Sequence, residues 1–249
     1  MALGPAIFIV VMSFITAAIS GVFGMAGGLL LKGSLALVLP VSATFVVHGL
    51  LQLVANGWRA ILHRRHVDWR IVGVYALGAF AIGGAMFFVA FEPTRATLFL
   101  LMGLAPFLVW LPDGVLKLDA SRPVQAFVCG VSVTGMNLTA GVAGPLLDIF
   151  FVRTALTRHQ IVATKAATQV FSHTMKVVVY GAPLLAVGGG GVPPLWVFAL
   201  AIPLSMLGTA AGGVVLNRLS DVNFKRYLRL ILTVIGAAYL VQAARLYLG

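Results

Sequence analysis

Gly21-Val22-Phe23-Gly24-Met25-Ala26-Gly27-Gly28 interrupts an apolar run that starts near residue 5 and resumes over 29–39. A second interruption, Asn137-Leu138-Thr139-Ala140-Gly141-Val142-Ala143-Gly144, splits an apolar run over 123–136 from its continuation over 145–156. Both breaks fall inside stretches apolar enough for lipid. A helix broken at membrane depth leaves unpaired backbone groups, which persist only where they are buried in protein or line a cavity. The reading of the whole chain turns on these two breaks.

The surrounding composition sets the solvent. Of 249 residues, 61% are hydrophobic and 9% charged, and mean hydropathy is +1.06. A soluble domain carries about 25% charged residues, so this chain cannot cover a water-facing surface. Further apolar segments run over about 41–62, 71–91, 96–111, 158–183, 193–216 and 224–247. Lengths near 20 residues suit a hydrocarbon core of about 30 Å, and the absence of strict alternation favours helices over a barrel. The net charge of +11 does not point to nucleic acid, because no soluble basic domain exists to carry it. The single cysteine, Cys129, excludes an internal disulfide framework and argues against a Cys/His metal cluster. The first charge is Lys32, so the opening segment lacks the basic start of a cleaved signal and is expected to remain in the mature chain.

Basic residues orient the segments. Arg64, Arg65 and Arg70, then Lys117 and Arg122, then Arg153 and Arg158, then Arg218, Lys225, Arg226 and Arg229 cluster in four connections. Those connections are assigned to the cytoplasm. Lys32, Arg95 and Arg245 are then expected outside, and Arg59, Lys165 and Lys176 within helices. With 112–122 and Arg153/Arg158 on one side, 123–156 must enter and return on that side, as a re-entrant hairpin with its tip near mid-membrane. Segment 5–39 does the same from the outside. Each half is then a hairpin followed by three crossings, and three being odd, the second half is inverted relative to the first. The expected fold is an all-α polytopic membrane protein of two inverted-topology repeats, residues 1–117 and 118–249, with a site at their interface.

Residue identities support the repeat. Gly24-Met-Ala-Gly27-Gly-Leu matches Gly141-Val-Ala-Gly144-Pro-Leu at an offset of 117 residues (141 − 24). The same offset pairs His48 with Lys165, Gln52 with Gln169, Asn56 with His173 and Arg59 with Lys176. Spacings of 4, 4 and 3 put each set on one helical face. Gly83-Gly84 and Gly212-Gly213 match at an offset of 129, which places an insertion near Gly188–Pro194. Those four glycines read as helix-packing positions.

Two glycine-rich breaks, GxxGG and GxxGP, each followed by a polar-lined helix, resemble the sulfite exporter TauE/SafE family. The resemblance covers essentially the whole chain, although Pro145 stands where the first motif has Gly28. It implies movement of sulfite, organosulfonates such as sulfoacetate, or related small anions across the bacterial inner membrane, with import or export open.

Return half-helices that start at such breaks present unpaired N–H groups and a positive dipole end to a ligand. The expected substrate-binding residues are Gly24, Gly27, Asn137, Thr139, Gly141 and Gly144 at the breaks, and His48, Gln52, Lys165, Gln169 and His173 on the helices that follow. Lys165 is expected to bind the anion or to pair with Asp148, since a charge in hydrocarbon costs at least about 2.5–3.5 kcal/mol. His48 is open as anion donor, proton carrier or packing residue. His48 and Asp148 are the candidates for coupling to H⁺ or Na⁺. Arg59 and Lys176 are expected to snorkel. No cofactor is expected. The partners are a small anion and lipid, with oligomeric state open and a homodimer among the choices. An anion channel or a carrier of another small carboxylate or oxyanion remains an alternative. An intramembrane enzyme is disfavoured because no nucleophile–base or metal-binding motif is present. A purely structural subunit fits poorly with so polar an interior.

Single cysteines placed in 63–70 and 112–122 should react with impermeant reagents from the cytoplasm, and cysteines near both termini from the periplasm. A cytoplasmic C-terminus would overturn the crossing count.

Overall fold

The computed structural model describes residues 1–23, 25–89, 91–111, 118–186, 188–216 and 221–248. Gly24 and the 112–117 part of the second basic loop, with Lys117, lie outside the described residues, as does Arg218. Among the described residues there are ten α-helices and no strand: α1 (Leu3–Phe23), α2 (Met25–Val38), α3 (Val41–Leu62), α4 (Trp69–Val89), α5 (Arg95–Leu104), α6 (Pro123–Thr139), α7 (Gly144–Phe151), α8 (Arg158–Ala186), α9 (Leu195–Leu216) and α10 (Asp221–Leu248). A 3₁₀ turn extends α5 to Trp110. Stretches within α1, α3, α4, α9 and α10 are long and apolar enough to cross a membrane. The chain is an all-α, multi-pass membrane protein.

The breaks are narrower than the sequence suggests. α1 runs on through Gly21, Val22 and Phe23, and α2 already contains Ala26, Gly27 and Gly28. Likewise α6 continues through Asn137, Leu138 and Thr139. Energetics explains the difference. A glycine inside a helix costs about 1 kcal/mol against alanine, whereas each unsatisfied backbone group in lipid costs several. Helix therefore persists until the chain has to turn. In consequence the helices on the two sides of each break are unequal. At about 1.5 Å per residue, the 21 residues of α1 rise about 31 Å and the 14 of α2 about 21 Å. The 17 residues of α6 rise about 26 Å and the eight of α7 only about 12 Å.

Helix pairing is regular. α1 packs on α9 and α6 on α4, while α3 packs on α8 and α5 on α10. Exchanging α1–α5 with α6–α10 leaves this set of pairs unchanged. The α1–α9 and α4–α6 seams share a mechanism as well: glycines bring the backbones into contact. A Cβ on Gly212 would lie 2.2 Å from the Ala18 carbonyl oxygen, and one on Gly130 2.1 Å from that of Tyr75. Gly83 faces Met175, but Gly84 and Gly213 face open space, so only half of the Gly-Gly pairs act in packing. The insertion near Gly188 forms a loop with φ of 88°, 69° and 84° at Gly188, Gly189 and Gly191, and Gly191 rests on Pro40 at the start of α3.

α8 carries many hydroxyls and lies at the centre, against α3, α4 and α6. Its hydroxyls are satisfied internally. Ser172 Oγ is 2.6 Å from Tyr75 Oη and 2.7 Å from Thr134 Oγ1, and Thr164 Oγ1 accepts from the Asp68 N–H at 2.9 Å. Lys32 departs from expectation. Instead of facing the outside it is fully buried, because α2 is enclosed by α1, α3 and α10.

Gly130→Val should lower the stability of the protein in detergent by about 1–3 kcal/mol, the usual cost of overpacking. Gly57→Ala has nothing within 4 Å of the new Cβ and should be neutral or stabilising by up to about 1 kcal/mol. Thermal unfolding of both variants checks the contrast.

Candidate functional site

The two breaks and the polar faces of α3 and α8 enclose one cavity of about 130 Å³. That is several times the ~30 Å³ occupied by a water molecule in the liquid. Its walls include His48, Gln52, Asn56 and Arg59 from α3 and Lys165, Gln169 and His173 from α8. Asn137, Ala143 and Gly144 come from the second break, and Ser20 and Gly28 from the first. Seven of the expected residues therefore meet: His48, Gln52, Asn137, Gly144, Lys165, Gln169 and His173. Three of the four pairs linked by the 117-residue offset, His48 with Lys165, Gln52 with Gln169 and Asn56 with His173, line one space, because α3 and α8 pack together.

Other expected residues have different surroundings. Gly24 lies outside the described residues. Gly27 sits where α2 crosses α1, and a Cβ there would be 2.0 Å from the Thr16 carbonyl oxygen. It is a packing residue that enlargement would disrupt. Thr139 donates its hydroxyl back to the Gly135 carbonyl at 3.0 Å. Gly141, at φ 78°, provides the left-handed turn after α6 and exposes its carbonyl to Lys176. α7 begins at Gly144 with Pro145 in its first turn and no side-chain cap. Pro145 has no N–H and the Leu147 N–H donates to the Ala143 carbonyl, so of the first turn the Gly144 N–H is the one beside the cavity.

Charge is distributed unevenly. Lys165 Nζ donates directly to Asp148 Oδ1, and the two side chains are 26% and 34% exposed, so the pair sits at the mouth rather than in sealed protein. Arg59 reaches the Ser20 carbonyl at 3.4 Å. At the floor, His48 has both ring nitrogens engaged. One, Nε2, is 3.0 Å from the Gly28 carbonyl, so it must be the protonated donor, and Nδ1 is 3.1 Å from Lys176 Nζ. Lys176 also donates to the Gly141 carbonyl at 2.7 Å. It does not snorkel: it is fully buried, since the acceptors that satisfy it lie inside. Among the described residues the one ion pair is Lys165–Asp148.

Some polar atoms are left unmatched. Both amide atoms of Asn137 and Nδ1 of His173 are buried without a hydrogen-bond partner. An unmet buried polar group costs about 1–3 kcal/mol, and these two residues face the cavity. The sequence reading left Lys32, Arg59, Lys176 and Ser20 out of the site. For Lys32 the signal was available: it is the one charge in the 14-residue apolar helix MAGGLLLKGSLALV, the situation that singled out Lys165.

The family model described as Sulfite exporter TauE/SafE matches residues 9–239. Neither the curated proteins nor the solved structures contain a significant match.

Asn137→Leu keeps the branched shape and the number of heavy atoms and removes two unmet polar atoms. It should leave the thermal midpoint in detergent unchanged or raised, while binding of a small test anion falls at least 10-fold. A destabilised variant with normal binding would make Asn137 a structural residue.

Proposed function

The chain belongs to the sulfite exporter TauE/SafE family of membrane transporters, and from that premise we propose that it is a secondary transporter moving sulfite, or an organosulfonate such as sulfoacetate, across the bacterial inner membrane by alternating access. The observation that carries this reading is the cavity: two cationic side chains, Arg59 and Lys165, and the unmatched Asn137 amide converge on one space beside the uncapped start of α7. Donors and positive charge beside a helix start together describe an anion's environment.

Asp148 gives the site a means of control. While it is ionised it occupies Lys165. An arriving sulfonate or sulfite can replace it, and a proton or Na⁺ taken up by Asp148 frees the ammonium for the anion. Either route couples cargo to a second ion. Without coupling, an inside-negative potential drives an anion outward by about 2.3 kcal/mol per charge per 100 mV, enough for export.

The exchange of helix pairs between the halves supports two inverted repeats, 1–117 and 118–249, with both termini periplasmic. Behind the cavity floor, the rings of Phe45 and Tyr180 stack at 4.1 Å and the Tyr180 hydroxyl donates to the Leu138 carbonyl at 2.6 Å. A seal on one side with a cavity on the other favours a carrier over an open channel.

Lys165→Met deletes a charge-assisted hydrogen bond of about 1.5–3 kcal/mol and should weaken sulfite binding roughly 10- to 150-fold. Lys165→Arg should rescue in part, as a planar fork replaces a point charge. Asp148→Asn removes the competitor and should tighten binding. Unchanged affinity in a folded Lys165→Met protein would mean that the Lys165–Asp148 pair is structural.

A further inference from the structure

Beyond the cavity floor lies a second concentration of positive charge. The Lys32 and Lys176 side chains are both fully buried. Both ammonium groups lie toward the Phe45 ring, at 3.1 and 5.9 Å from its centroid. Both also converge on Gly141. Lys176 donates to its carbonyl, and a Cβ on Gly141 would come within 3.1 Å of Lys32 Nζ. Lys32 Nζ has no hydrogen-bond partner, and neither lysine is in an ion pair. A cation–π contact contributes about 0.5–2 kcal/mol, whereas burying an unpaired ion costs several. The ring does not offset that cost, and the Lys32 nitrogen stays an unmatched buried polar atom, as the Asn137 amide is in the cavity.

The repeat register says when an anion reaches it. In inverted-repeat carriers the two halves exchange conformations between the two open states. Residues that line the cavity on one side are then replaced, on the other, by their counterparts in the opposite half. At the 117-residue offset, Gln52 and Gln169 are each other's counterparts, as are Asn56 and His173, Ser20 and Asn137, and His48 and Lys165. All eight already line the cavity, so they belong to both states. The other nine wall residues have counterparts outside the cavity, and two of these carry the argument. Arg59 maps to Lys176 and Val162 to Phe45. Both counterparts are now sealed behind the floor.

We infer that Lys176, backed by Lys32, is a second anion-binding site, built for a small oxyanion and exposed when the transporter opens toward the face bearing 39–41 and 186–195. It rests on the alternating-access reading above. In that state Lys176 leaves the Gly141 carbonyl and takes the role that Arg59 has now. The Phe45–Tyr180 stack separates to admit the anion, and Lys32 neutralises its charge from behind. The anion thus meets positive charge along the whole path, first at Lys165 and Arg59, then at Lys176 and Lys32.

The experiment uses full-length protein carrying Cys129→Ser, with Arg59→Cys or Lys176→Cys, in vesicles of known orientation. An impermeant probe, 2-sulfonatoethyl methanethiosulfonate, is added to one side at a time. Cysteine at 59 should react from the 63–70 side and cysteine at 176 from the opposite side alone. Reaction of both from the same side overturns the inference, as does no reaction at 176 from either side while 59 reacts. In parallel, Lys32→Met and Lys176→Met are reconstituted and sulfite flux is measured, with at least a 10-fold loss expected in each. Normal flux in both, in a protein whose wild type carries sulfite, also overturns it. A wild type that moves no small anion would instead sink the transport reading, and the labelling pattern would still decide whether the second site opens.

Discussion

The ammonium of Lys176 holds together the parts on which the site depends. It belongs to α8, it donates to the carbonyl that follows α6, and it contacts His48 on α3, whose other ring nitrogen is fixed on α2. Four elements meet at one nitrogen and one imidazole. In a medium without water no competing partner is available, so each of these bonds counts for more than it would at a soluble surface. Loss of the Lys176 contacts would free the turn at Gly141, the floor of the cavity and the first break together. A polar cluster with two stable arrangements is what a carrier requires, since packed interiors switch between discrete states rather than deforming smoothly.

The rest of the architecture sets that polar cluster apart from closely packed seams. α1 with α9, and α4 with α6, are joined backbone to backbone at Gly212 and Gly130. Such seams have no long side chains to rearrange, which suits them to move as units. Between them, α3 and α8 meet through polar side chains and aromatic rings, an interface able to repack. Rigid pairs flank an adaptable centre.

Much of this was legible in the residues. Long apolar runs with basic loops identify a polytopic membrane protein, and the 117-residue offset picks out α3 and α8 as the facing helices. The spacing of His48, Gln52, Lys165, Gln169 and His173 places them on cavity-facing stripes. What could not be read was which hydrogen bonds close. Lys176 pairing with His48 and Gly141 depends on approaches between segments 128 and 35 residues apart, whereas Asp148 was one of the two partners the sequence offered Lys165. Helix ends near glycines were misplaced because lipid penalises an early break more than glycine weakens a helix. Gly27 has the same chemical character as Gly144, and only the proximity of α1 makes it a packing residue.

Cys129 lies sealed in the cluster that also holds Tyr75 and Phe150, and it is the chain's single sulfur of that kind. Sulfite is a nucleophile that splits disulfides, leaving a sulfonated sulfur on one half and a thiolate on the other. A chain with one cysteine forms no internal disulfide, and a buried thiol is kept from forming an external one. Structural crosslinks common in proteins of oxidising compartments would be a liability for any protein handling sulfite, the cargo proposed above. Here stability comes from glycine seams and buried hydrogen bonds, none of which that reagent can cleave.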